Sequence, residues 1–181
     1  AVHGMDGYEG AIVLDPTPGI YTEPVAVLDY GSLYPSSILE KNVSHETLIE
    51  DKSILDQIDE EDYYTIHYDN WIYKGKGKGD TIEKVIDENE KVKTCYFIKP
   101  SFLEKHGEEP MGIIPAVLSG VLDARKNTKK LMKTEKDEFK YKILDGLQLA
   151  YKVTANSVYG QLGAKTSTVF KMNLAGINQI I

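Results

Sequence analysis

Two stretches in the second half of the chain repeat apolar side chains at helical spacing. Ile114, Val117, Leu118, Val121 and Leu122 recur within residues 111–133, and Phe139, Ile143, Leu144, Leu147, Leu149 and Ala150 within residues 137–161. A period near 3.6 gathers such residues on one face, so each stretch predicts a long amphipathic helix. Only residues 134–136 join them. Helices linked so tightly must turn back on each other, which predicts an antiparallel, projecting hairpin. Upstream the apolar runs are short. Residues 10–14 and 19–22 are β-prone and flank Asp15-Pro16-Thr17-Pro18, a pattern that reads as two strands joined by a turn. Residues 25–28 are continuously apolar, as in a central strand buried on both faces. Pro35 then permits a helix start, which predicts a short helix over residues 36–42. Residues 44–110 differ in texture, being acidic and aromatic. The alternating pieces 64–68 and 93–98 around a glycine-lysine loop predict a helix followed by a hairpin.

Composition changes this picture in three ways. With 181 residues, 41% of them hydrophobic, the chain can build a buried core. No apolar run approaches the roughly 20 residues of a membrane span. Because the sequence opens on Ala1 and stops at Ile181 without a helix-stop signal, an internal piece of a longer protein is expected. A single cysteine, Cys95, has no partner for a disulfide or a zinc site and is expected in a strand. The formal net charge of -7 argues against a nucleic-acid partner until it is mapped along the chain. Residues 1–43 carry one basic and six acidic side chains, residues 44–110 nine and seventeen, and residues 111–181 eleven and five. Phosphate binding follows local potential, so the last third is the part suited to a polyanion. The run from Lys74 to Gly79 alternates lysine and glycine but lacks the spacing and Ser/Thr of a phosphate loop, and it reads as a solvated hairpin tip. His45, His67 and His106 show no ligand spacing.

Candidate chemistry concentrates at three places. The expected strand 25–28 delivers Asp29 to a turn closed by Pro35, in the order Asp29-Tyr30-Gly31-Ser32-Leu33-Tyr34-Pro35-Ser36. Mg²⁺ takes hard oxygen ligands and is often held by one or two carboxylates plus substrate phosphates, which suits a carboxylate at a strand end. A turn-capping aspartate is the plainer reading. Ser32, Leu33 and Tyr34 offer successive backbone N–H groups that can form an anion-binding concavity, with the Tyr34 ring at its rim. Further on, Lys152, Asn156 and Tyr159 recur at four and three residues and share one side of a helix. A Lys ammonium is a compact charge for phosphate, and an aromatic face stacks on any base. Asn156 and Gly160 both lower helix propensity, so a plain amphipathic helix does not account for them. On the preceding helix Arg125 and Lys129 lie four apart, among Lys126, Lys130, Lys133 and Lys136. A basic helix face is most often just solvated.

These segments resemble, in order, the elements of one family. Residues 29–36 and 152–160 are similar to signatures A and B of the family B DNA polymerases, and Leu122-Asp-Ala-Arg125-Lys-Asn-Thr-Lys129 resembles their first fingers helix. Tyr8-Glu9-Gly10-Ala11 resembles a Tyr-x-Gly-Gly/Ala turn that contacts the template strand. The resemblance implies that Asp29, assisted by the Tyr30 carbonyl, ligates two catalytic Mg²⁺ ions. It also implies that the Ser32 and Leu33 backbones receive the triphosphate while Tyr34 rejects a ribose 2′-hydroxyl. By the same resemblance Arg125 and Lys129 meet the β- and γ-phosphates, Lys152 meets the α-phosphate, Asn156 supports the pocket and Tyr159 packs beneath the nascent base pair. Tyr8, Gly10 and Gly160 would lie against DNA. The implied fold is α/β: a partial palm with a mixed or antiparallel sheet, plus an antiparallel two-helix fingers hairpin. Residues 1–43 would be the N-terminal part of the palm, 44–110 an acidic insertion, 111–165 the fingers and 166–181 the return toward the palm. The implied substrates are a DNA primer-template and dNTPs, with a processivity factor as a further partner and no membrane. Phrases such as Glu40-Lys-Asn-Val-Ser-His45 are similar to enzymes of large DNA viruses of algae and protists. The family's second carboxylate pair, in a Tyr-Gly-Asp-Thr-Asp-Ser turn, is absent from these residues, so the fragment alone is expected to be inactive. Two rival readings stay open here: a catalytically silent polymerase-like scaffold, and another palm-type nucleotidyl enzyme.

Overall fold

The computed structural model describes residues 5–6, 14–74, 83–164, 166–169 and 174. Its elements are β1 (Met5–Asp6), α1 (Leu33–Glu40), β2 (Tyr63–Asp69), β3 (Trp71–Lys74), β4 (Glu83–Ile86), β5 (Val92–Ile98), α2 (Pro100–Lys105), α3 (Ile113–Thr134) and α4 (Glu138–Gly163). Short 3-10 turns at Lys52–Asp56 and Glu60–Asp62 stand where a helix was expected before the hairpin. The class is mixed α/β with small antiparallel sheets.

The hairpin of residues 44–110 is a bent ribbon. β2 pairs antiparallel with β5 from Tyr63↔Ile98 to Asp69↔Val92, and β3 with β4 from Trp71↔Ile86 to Lys74↔Glu83. At the break between the two pairs a single residue, Asn70, lies opposite residues 87–91. Its backbone spans the step, the N–H donating to the Lys91 carbonyl and the carbonyl accepting from the Asp87 N–H. β1 adds to the free edge of β3 through Met5↔Tyr73. The expected tip at Lys74 to Gly79 joins these strands, but residues 75–82 lie outside the described residues.

α3 and α4 form the predicted hairpin with bounds close to those the periodicity implies. Pro115 stands in the first turn of α3, where its missing N–H is no loss. Asp137 caps α4, its carboxylate accepting from the N–H groups of Phe139 and Lys140 at 2.9 and 3.0 Å. Glu135 accepts from the Lys136 and Asp137 N–H groups, which closes the turn. Early α3 residues meet late α4 residues, as the groove shared by Ile114, Val117, Val158 and Leu162 requires of antiparallel helices.

One core ties the ribbon to the helices: Ile38 of α1, Val43 and Leu48 of the following loop, Ile66, Cys95 and Phe97 of β2 and β5, Leu118 of α3, and Ala155 and Leu162 of α4. Cys95 is buried in a strand as expected, and burial pushes its thiol pKa up. The loop 42–47 is the main joint. Asn42, fully buried and at a φ of 52°, donates to the Ile98 carbonyl at 3.0 Å and accepts from the Gly112 N–H at 2.8 Å. Glu46 accepts from the Ile113 N–H, and Ser44 hydroxyl bridges Glu46 to the Ile114 N–H. The first N–H groups of α3 are thereby satisfied by side chains of a distant loop.

Two expectations fail upstream of α1. Residues 19–22 form no strand, and neither do residues 25–28, where Val25, Val27 and Leu28 are 69%, 85% and 95% exposed. A strand persists only where a neighbour takes its backbone hydrogen bonds, and among the described residues none lies beside this segment. The apolar run marks a surface that needs a partner rather than one that has found it. Of the expected strand 10–14, residues 10–13 lie outside the described residues.

Candidate functional site

The elements above bring the two principal candidate segments together at α1. Its helix begins at Leu33, three residues before the expected start, and Ser32 caps it in the left-handed region at φ 57°, ψ 52°. That conformation costs an L-residue about 1–2 kcal/mol, and such strain tends to persist where function requires it. A left-handed residue followed by right-handed ones turns successive N–H groups to one side, the geometry of an anion-binding nest. The Ser36 N–H already bonds the Ser32 carbonyl at 3.0 Å, and Pro35 has no N–H, so the Leu33 and Tyr34 amides are the ones left at the mouth.

α1 packs against both α3 and α4. There the ring of Tyr34 lies flat on that of Tyr159, with centroids 4.3 Å apart and planes 6° from parallel. Such a stack contributes roughly 0.5–1.5 kcal/mol beyond area burial. Tyr159 shares its α4 stripe with Asn156, Lys152 and Gln148, spaced three, four and four residues apart. At the far end of that stripe the Arg125 Nε of α3 donates to Gln148 Oε1 at 3.3 Å. The stripe thus runs from a tyrosine pair at α1 to an arginine on the opposite helix.

Arg125 and Lys129 line one concavity of about 500 Å³ with Leu122, Lys126, Lys130 and Lys133. The ion pairs among the described residues join Lys41 to Glu40, Lys105 to Asp62 and Lys142 to Glu138, so no carboxylate described here neutralises Arg125, Lys129 or Lys152. The cationic face is therefore open to an external anion.

Asp29 and Tyr30 lie on the exposed segment before α1. The strand expected to deliver Asp29 is not formed, and no described ion pair joins it to the three cations. Among the described residues no cluster of three or more His, Cys, Asp or Glu side chains could hold a metal, so these residues by themselves build no metal site around Asp29 and Tyr30. A lone carboxylate suits a hard dication only where substrate phosphate and water supply the remaining ligands. Gly160 follows the stack, and a Cβ there would meet nothing within 4 Å, so packing does not demand its bare backbone. Tyr8 and Gly10 lie outside the described residues. Sequence reasoning passed over Gln148 and Asn42. Gln148 could have been found from its place one turn before Lys152, whereas nothing local marks Asn42.

Residues 2–178 match the family profile described as DNA polymerase family B. The chain is 38% identical to the DNA polymerase of Pyramimonas orientalis virus over 94% of its length, and 38% identical to that of Phaeocystis pouchetii virus over 93%. It is 37% identical to the DNA polymerase delta catalytic subunit of Caenorhabditis elegans over 97% of its length. It spans 17%, 17% and 13% of those three proteins. A profile match across nearly all the residues, with three relatives above 30% identity, places the chain in DNA polymerase family B.

Proposed function

We propose that this chain is the nucleotide-binding part of a DNA-directed DNA polymerase, which adds dNTPs to a primer 3′-hydroxyl on a DNA template. The observation that carries the reading is the stack of Tyr34 on Tyr159, since it sets the helix that follows Asp29 against the helix that bears Lys152. Residues 14–43 and the ribbon would belong to the palm, and α3 and α4 would be the fingers. The exposed apolar run 25–28 would take its place in a palm sheet completed by other parts of a longer protein.

In this reading Arg125 and Lys129 take the outer phosphates, Lys152 the α-phosphate, and the Leu33 amide donates to the triphosphate beside the left-handed Ser32. Positive charge held ready at these points stabilises the charge that develops on phosphate oxygens without reorganisation at the moment of reaction. Asn156 supports the pocket wall. Tyr34, clamped by Tyr159 on one face, cannot swing aside, and its edge would exclude a ribose 2′-hydroxyl. Gly160, with open space where a Cβ would stand, lets DNA approach the backbone. Asp29 and the Tyr30 carbonyl would hold Mg²⁺ with the substrate phosphates. When bound, such ions lower the pKa of the attacking hydroxyl and shield the leaving pyrophosphate.

The test is single-nucleotide incorporation by the longer polymerase that carries this segment. Asp29→Ala should abolish incorporation while primer-template binding stays within about twofold, and Tyr34→Ala should let ribonucleotides in. Equal loss of binding and incorporation for Asp29→Ala, or unchanged sugar discrimination for Tyr34→Ala, would refute these roles. A wild-type protein that binds DNA and never extends it would point to a silent scaffold instead.

A further inference from the structure

We infer that Gln148 is a positioning residue for Arg125, and that it presents the guanidinium to the triphosphate without neutralising it. The inference rests on the nucleotide-binding role proposed above for Arg125.

Arg125 reaches from α3 across to α4, where its Nε donates to Gln148 Oε1 at 3.3 Å in a half-buried setting. Gln148 Nε2 in turn donates to Asp145 Oδ1 at 3.0 Å. The two contacts fix the amide one way round. Reversed, its oxygen would face the Asp145 carboxylate and its N–H groups the guanidinium, two repulsive contacts in place of two attractive ones. A guanidinium has five N–H donors in a rigid fork, and engaging Nε on one edge leaves the end-on pair, one N–H from each Nη, directed away from that edge. Arg–phosphate recognition uses two parallel donors, and the Nη pair supplies them.

The acceptor's neutrality matters as much as its position. A carboxylate at this place would orient Arg125 equally well, but it would compete with phosphate for the same charge. Asp145 does carry a charge, and it touches the amide rather than the arginine. Gln148 also stands one helical turn from Lys152 on the same stripe, so the residue that orients one phosphate contact and the residue proposed as another share a rigid element.

The experiment measures apparent dNTP affinity and turnover in the longer polymerase. Gln148→Leu should raise KM for dNTP about three- to tenfold, the size of an ordinary hydrogen bond and below the range for charged groups because the pair is part-exposed, with kcat within about twofold. Gln148→Glu, although isosteric and still an acceptor, should raise KM at least as much. In an Asp145→Asn background, where the new carboxylate meets no like charge, a merely structural glutamine predicts that Gln148→Glu is close to neutral in KM. In an Arg125→Ala background, Gln148→Leu should change KM by less than about twofold, because the group it orients is gone. Full additivity of the two substitutions, or a wild-type KM in Gln148→Glu, would overturn the inference. If Gln148→Leu lowers the melting temperature, the isosteric variant and the double mutant decide. Should Arg125→Ala itself leave KM for dNTP unchanged, the inference falls together with the reading beneath it, whereas a raised KM for Arg125→Ala with additive Gln148→Leu removes the inference alone.

Discussion

Replacing Asn42 should loosen the helix that carries the proposed phosphate contacts, although Asn42 lies far from them in sequence. The side chain is fully buried, donates to the Ile98 carbonyl at 3.0 Å and accepts from the Gly112 N–H at 2.8 Å, joining the end of β5 to the start of α3. Its backbone sits at φ 52°, which glycine adopts freely. Asn42→Gly therefore keeps the backbone and removes the buried side chain together with its two hydrogen bonds. Each buried group left unpaired costs about 1–3 kcal/mol, which gives a loss of about 2–6 kcal/mol. Whole-domain stability is only about 5–15 kcal/mol, so the effect is large. Asn42→Ala should cost about 1–2 kcal/mol more, because a Cβ is disfavoured in the left-handed region. Urea unfolding followed by circular dichroism measures both, and amide exchange should show the Gly112 N–H losing protection. Were Asn42→Gly within about 0.5 kcal/mol of wild type, or Asn42→Ala the more stable of the two, the account of this joint would be wrong.

Two further outcomes test the same joint. A Cβ on Gly112 would fall 2.7 Å from Ser44 Cβ and 3.0 Å from Thr47 Cγ2, both buried, so Gly112→Ala should lose about 1–3 kcal/mol by overpacking in the same unfolding assay. For Glu46, burial pushes its pKa up, but the Ile113 N–H and the Ser44 hydroxyl pull it further down, to below the usual 4.5. A lowered carboxylate stabilises the fold above its unfolded pKa, and that contribution is lost as pH falls through the folded value. Wild-type stability should thus decline below about pH 4.5 more steeply than that of Glu46→Gln, and parallel pH profiles would count against the contact.

The helical hairpin was legible because its causes are local. Apolar residues spaced to face one side and a short joint are written in consecutive positions, and α3 and α4 have nearly the bounds they imply. The ribbon was half legible. Alternation located β2 and β5, but not the step at Asn70, where one residue answers residues 87–91 on the other side. Residues 25–28 misled for a physical reason: continuous apolarity reports a demand for burial, and a neighbour must exist to meet it.

Sequence alone determined the identities and order of the chemical groups, from Asp29 through Arg125 to Tyr159, and the stripe that Lys152, Asn156 and Tyr159 share, since helical geometry follows from spacing. Tertiary structure alone decided which stripes meet. Tyr34 lies on Tyr159, Arg125 rests on Gln148, and α3 begins where Asn42 and Glu46 satisfy its first N–H groups. Contacts between residues tens of positions apart depend on how helices and ribbon close around a common core, and no short stretch of chain encodes that closure.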